Sequence, residues 1–286
     1  MKSFLQEPAA QKLPDASEAW IDKKHYYRQF LHGYYQFDCT VEKGVVGIPS
    51  VWNSWDFMVK SGWKALSDGY GLYLVLMEPD ENGWKNGKAD IKYLDELMND
   101  LALRPMFCSF QANFYVAAYG DCADVAGAQS RRNPRAYAAA ALIGTKGMPE
   151  AEAAELSSTG SRTPGVLLSQ VQWPIWLVYE EENEDTKRQV SYYREANHSA
   201  EKSEKLCGVE RWKPEKGGTL DEHWCADVNA DCRQWSDCVD YGYSKRILEE
   251  LFDGIYRYPG NNNGALRRVG NIYERGFKKF SADVWG

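Results

Sequence analysis

A long apolar segment is the first feature that the chain lacks. Its 286 residues contain no run that approaches the about 18 consecutive apolar residues of a transmembrane helix, so no membrane span is expected. Residues 1–20 hold no apolar stretch of the signal-peptide kind, and the compartment, cytoplasmic or secreted, stays open. Basic residues are outnumbered, 34 against 41 acidic ones, and the net charge of −7 argues against a general binder of nucleic acid.

The signatures of bound cofactors are also missing. GxGxxG, GxxxxGK[ST] and HExxH do not occur, so neither a nucleotide nor a metal cofactor is predicted. Of the seven cysteines, four lie in one region together with His223: Cys207, Cys225, Cys232 and Cys238. Because this cluster has no CxxC pair, a zinc site is disfavoured. A disulfide would fit an exported protein, and buried free thiols are the preferred interpretation.

Aromatic residues are abundant, with 11 Trp and 18 Tyr. They favour a large aromatic core with half-buried rims, and the alternative is an exposed aromatic face for a partner or a carbohydrate-like ligand. This content also excludes low-complexity disorder.

The middle of the chain alternates between apolar runs and helical patterns. The runs predict strands that are buried on both faces: residues 72–77, 113–120, 136–144 and 173–181. The segments between them predict helices: residues 54–67, 90–103 and 121–133. Further along, we expect a helix at 199–206, a strand at 209–213 and a long helix at 243–258. The pattern indicates an α/β fold with a mostly parallel central sheet and helices on both faces.

The chain divides into three parts by pattern. Residues 1–50 form a polar lead-in and short strands, 51–258 form the α/β domain, and 259–286 form a linker or joining strand towards a further domain or partner.

The richest local pattern is a buried strand, a sharp turn and a helix of small residues, followed by another buried strand. It reads FYVAAYGDCADVAGAQSRRNPRAYAAAALIG, residues 114–144. This is the context of a nucleophile elbow, where G-x-S-x-G places a serine above a helix N-terminus. With SGWKALSDGYGLYLVLMEP (61–79), the segment resembles α/β-hydrolases of the polyhydroxybutyrate-depolymerase-like and feruloyl-esterase-like kind.

The chain departs from that family at the nucleophile. Laid on G-x-S-x-G, its residues are Ala118, Tyr119, Gly120, Asp121 and Cys122. The nucleophile position is therefore vacant, because glycine cannot form an acyl-enzyme. An HGGG-type oxyanion loop is missing as well.

Other residues are candidates for the remaining catalytic roles. Cys122, at the start of the helix, would be a nucleophilic thiolate, and Asp121 lies one position from the apex. Both are otherwise ordinary residues of a first helical turn. The resemblance places an acid after the strand that ends near 179, in the run that includes Asp185, and then a general base, His198 or His223. The acidic run is otherwise a solvated loop.

Two functions remain open. The first is an accessory domain of a carboxylic-ester hydrolase, resembling the N-terminal, nucleophile-lacking half of a tandem esterase. It would pack on a second hydrolase domain or a second copy and help to bind an aromatic or polymeric ester. The second is an active carboxylesterase with a non-standard nucleophile such as Cys122.

Overall fold

The computed structural model describes residues 17–20, 26–30, 43–70, 72–103, 114–134, 136–162, 164–215, 226–252, 255–257 and 266–268. His223, Cys39, Cys108 and Cys225 lie outside the described residues.

A ten-stranded sheet runs through the described part of the chain. Its strands are β1 (Ser17–Trp20), β2 (Tyr26–Phe30), β3 (Lys43–Gly47), β4 (Tyr73–Met77), β5 (Phe114–Tyr119), β6 (Ala139–Ile143), β7 (Ile175–Tyr179), β8 (Glu204–Leu206), β9 (Val209–Trp212) and β10 (Val228–Cys232). The order is β1-β2-β4-β3-β5-β6-β7-β10-β9-β8. The six strands from β4 to β10 in this order pair in parallel, and both edges are antiparallel. The predicted mostly parallel sheet is confirmed.

Helices cover both faces of the sheet, as predicted. They are α1 (Ser54–Lys60), α2 (Trp63–Tyr70), α3 (Lys88–Leu103), α4 (Asp121–Arg132), α5 (Glu150–Ser158), α6 (Glu184–Ala196) and α7 (Tyr241–Ile247). One apolar core lies under α3 to α6, and a second lies under α1, α2 and α7. β5 and β6 are buried along their whole length, because each strand contributes alternate side chains to the two cores. No helix of the described residues is both long and apolar enough for a membrane span.

The predicted helix at 54–67 is two helices. It breaks at Gly62, whose φ is 81° and whose added Cβ would lie 2.5 Å from Cα of Tyr241. A glycine is needed there because the start of α7 approaches the backbone closely.

The predicted helix at 199–206 is wrong, and the helix of this region lies earlier, at Glu184–Ala196. Residues Glu204–Leu206 form the edge strand β8 instead. The acidic run therefore opens a helix, because Asn183 caps it and acidic residues in a first turn are favoured by the helix dipole.

The predicted helix at 243–258 is also too long. α7 begins at Tyr241, a π-helical segment (Leu248–Phe252) continues it, and the short strand β11 (Ile255–Arg257) follows. β11 pairs with β12 (Leu266–Arg268) in a separate two-stranded sheet. At the other end of the chain, β3 lies in the middle of the main sheet, which therefore includes part of the segment 1–50 that was predicted as a lead-in with short strands.

Candidate functional site

A cavity of about 390 Å³ opens at the carboxyl ends of the parallel strands. Ligands of open α/β sheets bind at this edge. The lining comes from the loops and turns that follow β3, β5, β6, β7 and β10: Pro49, Val51, Gly120, Asp121, Gly144, Thr145, Lys146, Glu180, Glu181, Asn183, Thr186 and Trp235.

Gly120 forms the whole turn between β5 and α4. Its backbone has φ 55° and ψ −132°, a conformation that residues with a side chain rarely adopt, and its N–H donates to the carbonyl oxygen of Ile143 at 2.7 Å. The strand, turn and helix expected around 114–133 are therefore present, with Gly120 between strand and helix. In the described structure this turn carries no side chain at its apex.

Two neighbours occupy the space that a side chain at 120 would need. A Cβ added to Gly120 would lie 2.9 Å from Cβ of Pro49 and 3.3 Å from Cζ2 of Trp235. A Cβ added to Gly144, after β6, would lie 2.9 Å from Cγ of Trp235. The indole of Trp235 thus spans both glycines. Sequence reasoning missed Gly144 and Trp235, because each belongs to a turn whose neighbours are distant in sequence.

Asp121 is held by the loop that follows β3. Ser50 donates its N–H to Oδ1 of Asp121 at 2.9 Å and its hydroxyl to Oδ2. The N–H of Trp84 donates to Oγ of Ser50 at 3.0 Å. The carboxylate therefore fastens α4 to this loop, and its oxygens face hydrogen-bond donors.

The same contact affects where an oxyanion hole would lie. In the α/β-hydrolase plan, the hole uses the N–H after the nucleophile and an N–H from the loop after the third strand. At the start of that loop, Pro49 has no N–H and the N–H of Ser50 is bonded to Asp121. A carboxylate beside the turn would also repel a developing oxyanion.

Cys122 lies inside the core. Its side chain is fully buried, and a Cβ added to Gly47 of β3 would lie 2.5 Å from its sulfur. Burial raises the pKa of the Cys122 thiol well above its usual value, and the charges of Asp121, Asp90 and Asp124 raise it further. The thiol is thus protonated at neutral pH and packs between strand and helix.

Among the described residues, the predicted site residues Asp185 and His198 are not brought to Gly120. Asp185 lies in the first turn of α6, pairs with Arg188 and does not line the cavity. His198 follows the far end of α6, which at 1.5 Å per residue lies about 20 Å from the helix start. Glu180 and Glu181, from the predicted acidic run, do line the cavity. His223, the other predicted base, lies outside the described residues.

A buried polar network holds the loop that carries Trp235. Asp231, at the end of β10, pairs with Arg233 at 2.7 Å and accepts the hydroxyl of Tyr243 at 3.1 Å. The Arg233 N–H donates to the carbonyl oxygen of Tyr179 at 3.0 Å. In the same loop, burial of the Cys238 thiol raises its pKa to about 12. The loop is thereby tied to β7 and α7, and the indole is presented to the two glycines.

The described thiols and carboxylates show neither a disulfide nor a metal cluster. Cys122, Cys207, Cys232 and Cys238 are free. Within the same residues, His, Cys, Asp and Glu side chains do not gather in groups of three or more that could hold a metal ion.

Comparison with solved structures identifies the fold. An acetyl xylan esterase from Aspergillus awamori superposes with a TM-score of 0.51 at 9% identity, covering 76% of this chain and 92% of that one. A CIB-like hydrolase from Thermoplasma acidophilum (TM-score 0.41, 10% identity, 63% and 82% covered) and a ferulic acid esterase (0.39, 11%, 62% and 75%) are also similar. No family model and no curated protein sequence matches. The chain has an α/β-hydrolase fold, as the sequence resemblance predicted.

Proposed function

We propose that this chain is a non-hydrolytic α/β-hydrolase-fold domain, an accessory to a carboxylic-ester hydrolase. The observation that carries the proposal is the geometry at Gly120. The turn that would present a nucleophile has no side chain, and Pro49 and Trp235 occupy the space for one. Acyl transfer requires both a nucleophile and donors for the oxyanion.

The surroundings of the turn support the same proposal. The N–H of Ser50 donates to Asp121 and the thiol of Cys122 is buried and protonated. Among the described residues, the indole of Trp235 lies over the turn. An ester carbonyl placed here would meet a carboxylate where it needs hydrogen-bond donors, so the ground state would be favoured over the transition state.

The role left to such a domain is binding. The esterase-like fold and the open cavity suit the holding of a polymeric or aromatic ester, while a second hydrolase domain supplies the chemistry. The chain would pack on that domain or on a second copy of itself. Fold alone does not specify this partner, so the proposal depends on measured association.

The alternative is an active carboxylesterase with a nucleophile other than serine. The fold similarity favours it, and the burial of Cys122 weighs against it.

Turnover of 4-nitrophenyl acetate distinguishes the two functions. We expect the chain, Cys122→Ala and His223→Ala to match the rate of buffer containing the unfolded chain. Saturable hydrolysis by the chain that either substitution abolishes would overturn the accessory role. Sedimentation with and without a purified carboxylesterase domain then tests association.

A further inference from the structure

The cavity beside Gly120 has the features of a binding site rather than of a closed surface. Its volume of about 390 Å³ is within the range of small-molecule sites. It remains open although Trp235 covers the turn. The ring is only partly buried, so it contributes surface both to the turn and to the cavity.

Trp235 supplies the apolar surface for a ligand. The two glycines under the indole remove the side chains that would displace it, and the network of Asp231 and Arg233 fixes its loop. A fixed aromatic ring binds through dispersion and C–H contacts at little cost in conformational entropy.

The rest of the lining is mixed in polarity. Seven of the twelve lining residues are polar or charged, among them Glu180 and Glu181 after β7 and Lys146 after β6. Hydroxyl groups of a ligand can donate to the carboxylates and accept from the ammonium.

The net charge of the cavity limits the class of ligand further. Asp121, Glu180 and Glu181 outnumber Lys146, so the cavity carries net negative charge. An anionic ligand, including a carboxylate released from an ester, would be repelled. A neutral polyol with one apolar face satisfies the ring, the carboxylates and the ammonium together.

We propose that this cavity binds a neutral sugar unit that stacks on Trp235 and hydrogen-bonds to Glu180 and Glu181. The proposal rests on the accessory role and makes it specific, because the bound part of a polymeric ester would be its carbohydrate. Binding would leave the ester untouched, since the described residues that line the cavity offer the ligand no activated nucleophile.

Calorimetric titration with xylotetraose tests the site. We expect a dissociation constant of about 1 mM or tighter, with Trp235→Ala weakening binding about tenfold and Trp235→Phe retaining most of it. Glu181→Gln should weaken binding, whereas Glu201→Gln, an exposed carboxylate outside the cavity, should not. Circular dichroism confirms that each variant is folded.

Three results would overturn the site: no binding of xylotetraose by the folded chain, equal binding by Trp235→Ala, or preferential binding of trigalacturonic acid or methyl ferulate. The site and the accessory role fail separately. If the chain hydrolyses the ester and still binds the sugar, only the accessory role is overturned. If the chain shows no turnover and no sugar binding, only the sugar site is overturned.

Discussion

Two strand-to-helix turns lie at the same edge of the sheet and are built in opposite ways. β7 passes to α6 through Glu180–Asn183, where Asn183 accepts the N–H groups of Asp185 and Thr186 at 2.9 Å. β5 passes to α4 through Gly120 alone, and no side chain caps the helix.

The difference separates local from tertiary stabilisation. The first turn follows the rules of helix capping, since Oγ1 of Thr186 also accepts a hydrogen bond from the N–H of Asn183. The second depends on distant groups, because Ser50 binds Asp121 and Trp235 packs over Gly120. The sharp turn is thus maintained by packing, without a residue that does chemistry.

Of the substitutions that test this comparison, Gly120→Ser should lower the unfolding free energy most. A side chain at φ 55° is strained and its Cβ meets Pro49, so we expect a loss of about 2 kcal/mol in unfolding free energy. Urea unfolding measures it. Gly69→Ser, where an added Cβ meets nothing within 4 Å, is the control and should change stability by less than about 0.5 kcal/mol. A Gly120→Ser variant as stable as the parent would contradict the packing at this turn.

Asn183→Ala should cost less, about 1 kcal/mol, because it removes one capping side chain from α6. Glu182→Ala, exposed and beside the cap, is the matched control. If the two substitutions had equal effects in urea unfolding, the cap would not stabilise this turn.

The reactivity of the thiols towards an alkylating reagent tests whether Cys122 is buried beside the β5–α4 turn. With iodoacetamide at pH 8, the exposed Cys207 and Cys232 should be modified in the folded chain, and Cys122 about a hundredfold more slowly. Peptide mapping by mass spectrometry gives the rates. Modification of Cys122 as fast as that of Cys207 would mean that its thiol is accessible.

Asp124→Asn should change the unfolding free energy least, and the size of that change should depend on pH. Burial raises the pKa of Asp124, so the folded chain binds this proton more tightly than the unfolded chain does. The ionised Asp124 therefore destabilises the folded state at pH values above its folded pKa. This destabilisation is lost as the pH falls through that pKa.

The variant keeps both hydrogen bonds, since the hydroxyl of Thr145 and the N–H of Lys146 donate to the same oxygen, Oδ1. Asp124→Asn should thus be at least as stable as the parent at pH 7, with the difference shrinking on acidification. A difference that grows as the pH falls would reverse the sign of the shift.

Much of the fold could be predicted from the sequence where one local pattern dominates. The apolar runs correctly predicted the strands β4 to β7, and the run of small residues after Gly120 correctly predicted α4. Prediction failed where a tertiary contact decides. Gly62 breaks a continuous helical pattern because Tyr241 packs on it, and β10 was missed because Asn229 and Asp231 interrupt its apolar character.

The site could be predicted only in part. The turn at Gly120 has a local pattern, whereas Gly144 and Trp235 become part of the site only through chain packing. The acidic run indicated Glu180 and Glu181, and its assignment to Asp185 reflected the missed start of α6. His198 was a candidate by chain order alone, and α6 carries it to the other end of the sheet.

Intact mass after incubation with a fluorophosphonate ester probe tests the central claim most directly, because the probe marks a nucleophile that is activated for acyl transfer. The account predicts an unchanged mass for the folded chain. A single stoichiometric adduct that maps to the β5–α4 turn or to the wall of its cavity would contradict it.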